Sequence, residues 1–444
     1  MSSQRSSFPR RPVDFILDPV ARFLHIQAAS GVVLLICTVA ALWLANSQWS
    51  HHYFEWWHIH AQVGIGSLVL DQPLEIWIND GLMTLFFFVV GLEIKREMVS
   101  GELREIRRAA LPIVAALGGM VVPATIYTLL QHGQPGERGW GVPMATDIAF
   151  VVGVLALLGN RVPHGLKVLL LSLAIVDDIG AILVIAACYN TNLVVSWLVI
   201  GLAGFALTYA LNRMGVRSVV VYVIVGAMIW LAFLKSGVHP TVAGVMLGLL
   251  TPASAMLPDQ FVRDLLSDAQ YRLVQEAPQI GATDRRELAL ELVRGAKESV
   301  SPLERLEHAM HGWVSYVIMP VFAFSNAGVP IAVEALRDPI ALSVAAGLVL
   351  GKPLGIVLFS WLAIRLGVAR PLEGVTWPIL LGGGCLAGIG FTMSLFISGL
   401  AFAEGQLAAA KLGTLLGSVV SACLGTGILL ATLKKPIESN ATRA

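Results

Sequence analysis

Asp177 and Asp178 stand side by side in an otherwise uncharged run, residues 168–188. That run matches the roughly 20 apolar residues of a membrane-crossing helix. An isolated carboxylate at the centre of such a helix costs about 2.5 to 3.5 kcal/mol on insertion scales, and two neighbours also repel one another. In a low-dielectric site the repulsion is relieved by a proton on one carboxylate, or by a metal cation in the proton's place. The pair therefore implies one site at which H+ and a cation compete.

Composition secures the membrane setting for that chemistry. Of 444 residues 56% are hydrophobic and 13% charged, with mean hydropathy +0.75, against about 45 to 50% and about 25% in soluble proteins. The formal net charge of +1 is less informative than where the charges fall. Mostly apolar segments of spanning length predict roughly twelve helices, near 26–46, 76–94, 109–130, 142–158, 165–188, 193–211, 217–234, 238–252, 312–332, 339–364, 376–400 and 407–433. Lys and Arg alternate sharply across the intervening turns. One side holds only Arg138, Lys235 and Arg337, Lys352 and Lys411 fall within spans, and the other side holds the rest of the 30. The positive-inside rule then places both termini in the cytoplasm and makes the number of spans even.

The expected organisation is a cytoplasmic segment 1–25, a transporter domain 26–433 and a cytoplasmic tail 434–444. Arg residues before the first span also suit a signal peptide, but the span is long, lies beyond residue 25 and runs into Trp43 and Asn46 without a small-residue cleavage site. Cys37, Cys385 and Cys423 lie inside spans and Cys188 at the end of one, with no CxxC pair. Neither a disulfide framework nor a cysteine metal site is indicated. Two loops exceed what connection requires. The external loop 47–75 contains the aromatic and histidine cluster 51–60, then Val63 to Leu70 and Asp71-Gln72-Pro73, which suggest a short β-hairpin whose edge invites pairing with a second copy. The cytoplasmic loop 253–309 is charged, with helical spacing around 285–297, and reads as a helical, solvated insertion.

Two spans are interrupted. The fourth contains Pro143-Met144-Ala145-Thr146-Asp147; the eleventh contains Gly382-Gly383-Gly384 and Gly388-Ile389-Gly390-Phe391-Thr392. Non-helical backbone at membrane depth persists only where protein or a water-filled cavity satisfies its polar groups. Spans 3 to 5 start from the cytoplasm and spans 10 to 12 from outside, each triplet with its broken member central, the mark of inverted repeats with a binding site at the breaks. Asp147 and Lys352 are the ionised side chains available to balance the half-helix termini exposed there.

Gly91 to Glu97, Ala145 to Phe150, Ala174 to Gly180, Ser236 to His239, Leu306-Glu307-His308 with His311, Phe322 to Gly328, Gly351 to Gly355 and Cys385 to Ser394 follow one another along nearly the whole chain. In that order they resemble the NhaA family of bacterial Na+/H+ antiporters. The loop 253–309 departs from it, looking longer than the family's usual connection. The resemblance implies an all-α polytopic fold with two discontinuous crossing helices. It also implies Asp178 as principal ligand of Na+ or Li+, Asp177 as its titrating partner, paired with Lys352 when the cation is absent, Thr146 as an oxygen donor and Asp147 as a tuner of the field. Alternating access would export Na+ against more protons than sodium ions, so that the membrane potential, about 2.3 kcal/mol per charge per 100 mV, helps drive the cycle. Glu93, Glu97, Glu307, His308 and His311, at the cytoplasmic ends of spans 2 and 9, match a region that the family associates with activation at alkaline pH, with His239 as an outer modulator or a structural hydrogen-bonder. The spacing of His308 and His311 would also suit a metal, but further ligands are missing.

Two other classes fit less well. A Na+-coupled symporter of an organic solute on the same fold would need a roomy cavity beside the aspartates, with Lys352 binding an anionic substrate. An intramembrane aspartyl protease needs carboxylates from different helices facing one water, whereas Asp177 and Asp178 are consecutive and about 100° apart. The expectation is an inner-membrane antiporter, not an enzyme, with no cofactor or nucleic acid, surrounded by membrane lipid and dimerising through the hairpin. No nucleotide-binding loop is visible, so the proton gradient is the expected energy source.

Overall fold

The computed structural model describes residues 29–65, 68–190, 193–216, 218–255, 259–275 and 282–433. The segments expected at 1–25 and 434–444 lie outside the described residues. The described chain is mostly helical, its only strands are one hairpin, and each of the twelve expected segments contains helix. By length and apolarity, 8 helices suffice to cross a membrane, or 10 if each sharply bent pair counts as one span. The shortfall from twelve has two physical sources. Pro240–Leu250 has 11 residues, about 16 Å of helix against a hydrocarbon core of about 30 Å. The expected span 312–332 instead starts at Pro302, fixed by a capping box between Ser301 and Glu304, and is divided by the π-helical turn Val314–Ile318.

The chain forms two compact units. The first takes the residues up to Ile59, then Ala110–Asp177 and the chain from Met319 onward. Its long helix Glu404–Thr432 packs on Pro339–Ala346, Trp377–Ala387 and Phe391–Ala401, while Ala29–Ala45 packs on Ile148–Leu158 and Met319–Asn326. Helix Ile106–Leu130 meets Lys352–Arg365 backbone to backbone: a Cβ on Gly355 would lie 2.0 Å from the Gly118 carbonyl oxygen. Only glycine permits that approach, one turn beyond Lys352 on the same helix. Lys352 itself follows a π-helical turn, Gly347–Gly351. Pro353 cannot donate to the carbonyl four residues back and its ring crowds that carbonyl; the widened turn just before it relieves the clash.

Both expected interruptions are present. A 3-10 helix Glu137–Met144 gives way to extended backbone at 145–147 before helix Ile148–Leu158, and Trp377–Ala387 breaks at 388–390 before Phe391–Ala401 with a bend of 47°.

The second unit takes His60–Ala109 and Asp178–Ile318, so the boundary falls inside helix His164–Cys188, between the two aspartates. Met83–Val99 packs along Pro240–Leu250, and Val195–Arg213 along Val219–Ser236, with Phe205, Ile229, Phe233 and Ala243 forming a local core. The expected hairpin is strand β1, His60–Ile65, antiparallel to strand β2, Leu68–Pro73, with Val63 opposite Leu70. His60 Nδ1 lies 2.8 Å from Asp71 Oδ1 and Gln62 Nε2 donates to Oδ2; these two contacts, His60 first, hold the Asp71 carboxyl below the usual carboxylate range. The described part of the loop 253–309 is mostly helical, with Asp259–Gln275, Ala282–Glu298 and the start of Pro302–Trp313.

Candidate functional site

The two broken spans meet at their breaks. Asp147 N donates to the Ile389 carbonyl at 2.7 Å, and Thr146 Oγ1 lies 2.8 Å from the Ala387 carbonyl. Asp147 caps helix Ile148–Leu158, accepting from Phe150 N at 3.3 Å. Its other oxygen accepts from Thr392 N at 3.0 Å and from Thr392 Oγ1, in the first turn of Phe391–Ala401. One buried carboxylate thus serves the N-termini of both half-helices, where partial positive charge collects. Of the two residues expected to balance the exposed dipoles, Asp147 is the one hydrogen-bonded at both helix starts.

Lys352 lies against Asp177. Fully buried, its Nζ donates to Asp177 Oδ2 and, at 2.8 Å, to Thr146 Oγ1. Thr146 Oγ1 is 2.6 Å from the same Asp177 oxygen. A hydroxyl has one proton, so Thr146 donates either to Asp177 or to Ala387 while accepting from Lys352. It therefore links the ion pair to the break in the second span. Asp177 Oδ1 makes no hydrogen bond among the described residues. Asp178, next along the same helix, is 2% exposed. The arrangement holds a carboxylate, a hydroxyl and backbone carbonyls at the helix breaks near one ammonium. This is the oxygen-rich chemistry that suits a hard monovalent cation.

The family described as Na+/H+ antiporter 1 matches residues 21–429. The Na+/H+ antiporter NhaA of Rhodopirellula baltica is 54% identical over 432 residues, covering 97% of this chain and 98% of that protein. The chain belongs to the NhaA family of Na+/H+ antiporters. NhaA 2 of Acidiphilium cryptum is also similar, 48% identical over 428 residues, with 96% of this chain and 95% of that protein covered. In fold alone, the structure of the sodium proton antiporter of Methanocaldococcus jannaschii is alike, with TM-score 0.51 at 11% identity over 94% of this chain and 99% of that one.

In this NhaA-family chain the expected pH-responsive set is only partly assembled. Arg96 gathers the carboxylates: it binds Glu307 and lies 3.6 Å from Glu97. Glu97 also accepts from Glu102 N, and Glu93 lies within electrostatic reach of Glu307, Arg96 and Glu97. His308 and His311 are exposed and make no ion pair or hydrogen bond among the described residues. His239 sits elsewhere, with Nδ1 3.2 Å from Thr241 Oγ1 and Nε2 3.9 Å from Asp80 Oδ1.

Arg96, Thr392 and Asp80 are the polar partners not anticipated from sequence. A hydroxyl residue in the first turn after a break was the available signal for Thr392. Arg96 was hidden by its bland position at a helix end.

Proposed function

We propose that this chain exports Na+, and Li+, in exchange for H+ by alternating access through Asp177 and Asp178. Na+/H+ exchange is the activity of the family to which the chain belongs. A solute symporter on the same fold finds no support among the relatives. The observation that carries the mechanism is the buried Lys352–Asp177–Thr146 cluster beside Asp178.

Two ionised aspartates and one ammonium leave one net negative charge, which either one Na+ or one H+ neutralises. Exchange of more than one proton per sodium ion therefore draws on the Lys352–Asp177 pair itself. In that event the cation takes over Lys352's role as counter-charge and the cycle becomes electrogenic. The contact between two broken spans, each expected at the centre of a triplet of opposite topology, supports an inverted-repeat design. The protein is read as a multi-pass transporter of the bacterial inner membrane, with the residues before 26 and after 433 on the cytoplasmic side.

The Arg96 cluster is the proposed pH-responsive element, with Glu93, Glu97 and Glu307 at its centre, His308 and His311 beside it and His239 as a separate modulator. Both readings are tested in everted vesicles carrying an imposed pH gradient. Na+ or Li+ is expected to collapse the gradient increasingly from neutral to alkaline pH, and Glu307→Gln to displace that profile while leaving the maximal response. Lack of any cation response from inserted protein would remove the antiporter reading, whereas an unmoved profile would remove only Glu307 from the pH response.

The proposed dimer forms through the hairpin, since a two-stranded sheet leaves an outer edge on each strand. Mass measurement in lipid nanodiscs is expected to give a dimer for the native chain and a monomer when residues 60–73 are replaced by a short flexible linker. A dimer in both places the contact elsewhere.

A further inference from the structure

Helix Ser50–His58 has two unlike faces. Tyr53 is buried and its hydroxyl donates to the Phe324 carbonyl at 2.5 Å. The rings of Tyr53 and Trp57 meet Phe324 edge to face, with centroids 5.8 and 5.7 Å away. That face is anchored. The other carries His51, His52 and Glu55, all exposed.

Both imidazoles turn the same nitrogen to one carboxylate oxygen: Glu55 Oε2 is 3.0 Å from His51 Nδ1 and 3.5 Å from His52 Nδ1. Ligand atoms of the three residues lie within 4.8 Å of one another. We propose that this triad binds a divalent transition-metal cation of the Zn2+ type. Zinc bonds to nitrogen and oxygen of about 2.0 to 2.1 Å in a tetrahedron put neighbouring ligand atoms about 3.3 Å apart. The two separations to Glu55 bracket that edge, and the third, within 4.8 Å, closes by side-chain rotation at exposed imidazoles. Water completes the coordination.

Imidazole nitrogen discriminates against hard cations. Na+, Mg2+ and Ca2+ favour oxygen, so the triad is a different site from the one proposed for transport. His51 and Glu55 are one helical turn apart and His52 lies beside them. A bound ion would therefore fasten the first turn of a helix whose opposite face is already held by Tyr53. Because the ligands must be unprotonated, binding weakens on acidification.

The test uses the full chain, purified in detergent without a polyhistidine tag, and Zn2+ in equilibrium dialysis with metal analysis. The native protein is expected to retain one Zn2+ per chain. The double variant His51→Gln, His52→Gln should lose that equivalent, and His60→Gln, which alters the hairpin's His60–Asp71 contact, should keep it. Na+/H+ exchange by the double variant in vesicles checks that it is folded, since neither residue belongs to the transport site. Unchanged Zn2+ retention in the double variant, no retention by the native chain, or one ion per two chains would each overturn the proposal.

Discussion

Asp178→Asn is expected to reduce Na+-induced collapse of an imposed pH gradient to the background of vesicles lacking the protein, while the variant remains inserted at native levels. The substitution preserves shape and removes only charge. In the proposed site, ionised Asp178 adds one net negative charge to the Lys352–Asp177 pair; asparagine adds none. A monovalent cation entering would then have to displace Lys352 with no second carboxylate to hold it. Folding should tolerate the change, because Asp178 is 2% exposed and a buried amide is less costly than a buried charge. Level and insertion are measured on the same vesicles, by immunoblot and protease accessibility. Native exchange by the inserted variant would exclude Asp178 as the cation ligand.

What the sequence disclosed was whatever could be read from local contrast. Asp177 and Asp178 stand out because they interrupt an apolar run, and the breaks near Thr146 and Gly388 stand out because proline and glycine cluster where a span should be regular. The hairpin followed from Val63 to Leu70 and the polar residues after it. Contacts between distant segments were not disclosed. Thr392 lies 245 positions from Asp147; a hydroxyl in the first turn after a break is a local signal, but nothing local says which distant carboxylate it meets.

Hydropathy also counts residues rather than resolving geometry. It gave roughly twelve spans where 8 to 10 helices meet the length test, because it neither separates an 11-residue helix from its neighbours nor registers the turn at Val314–Ile318. The family resemblance grouped His308 and His311 with Glu307, yet only Glu307 of the three reaches Arg96. Adjacent residues such as Glu307 and His308 face different parts of a helix surface, whereas His311, four positions on from Glu307, shares its side of the helix and is still exposed.

Lys352→Ala is the second change with a large expected effect, and it acts on stability as well as transport. Lys352 is the counter-charge of Asp177 and a donor to Thr146, both fully enclosed. Removing one partner of a buried ion pair destabilises by about 3 to 5 kcal/mol, because the remaining charge is left uncompensated. The melting temperature of the purified variant should fall clearly. Lys352→Met, which retains most of the volume, should fall nearly as far if charge rather than packing is responsible.

Na+ then becomes diagnostic. If it occupies the place that Lys352 vacates, it binds the folded state preferentially, and binding to the native state alone stabilises by mass action. Added Na+ should therefore recover more stability in Lys352→Ala than in the native protein, where it must first displace the ammonium. Exchange should lose the proton carried by the pair, leaving transport closer to electroneutral when measured against an imposed membrane potential. If melting temperature, Na+ stabilisation and voltage dependence are all unchanged, Lys352 does not serve as the charge that the cation replaces, and the second proton must come from another group.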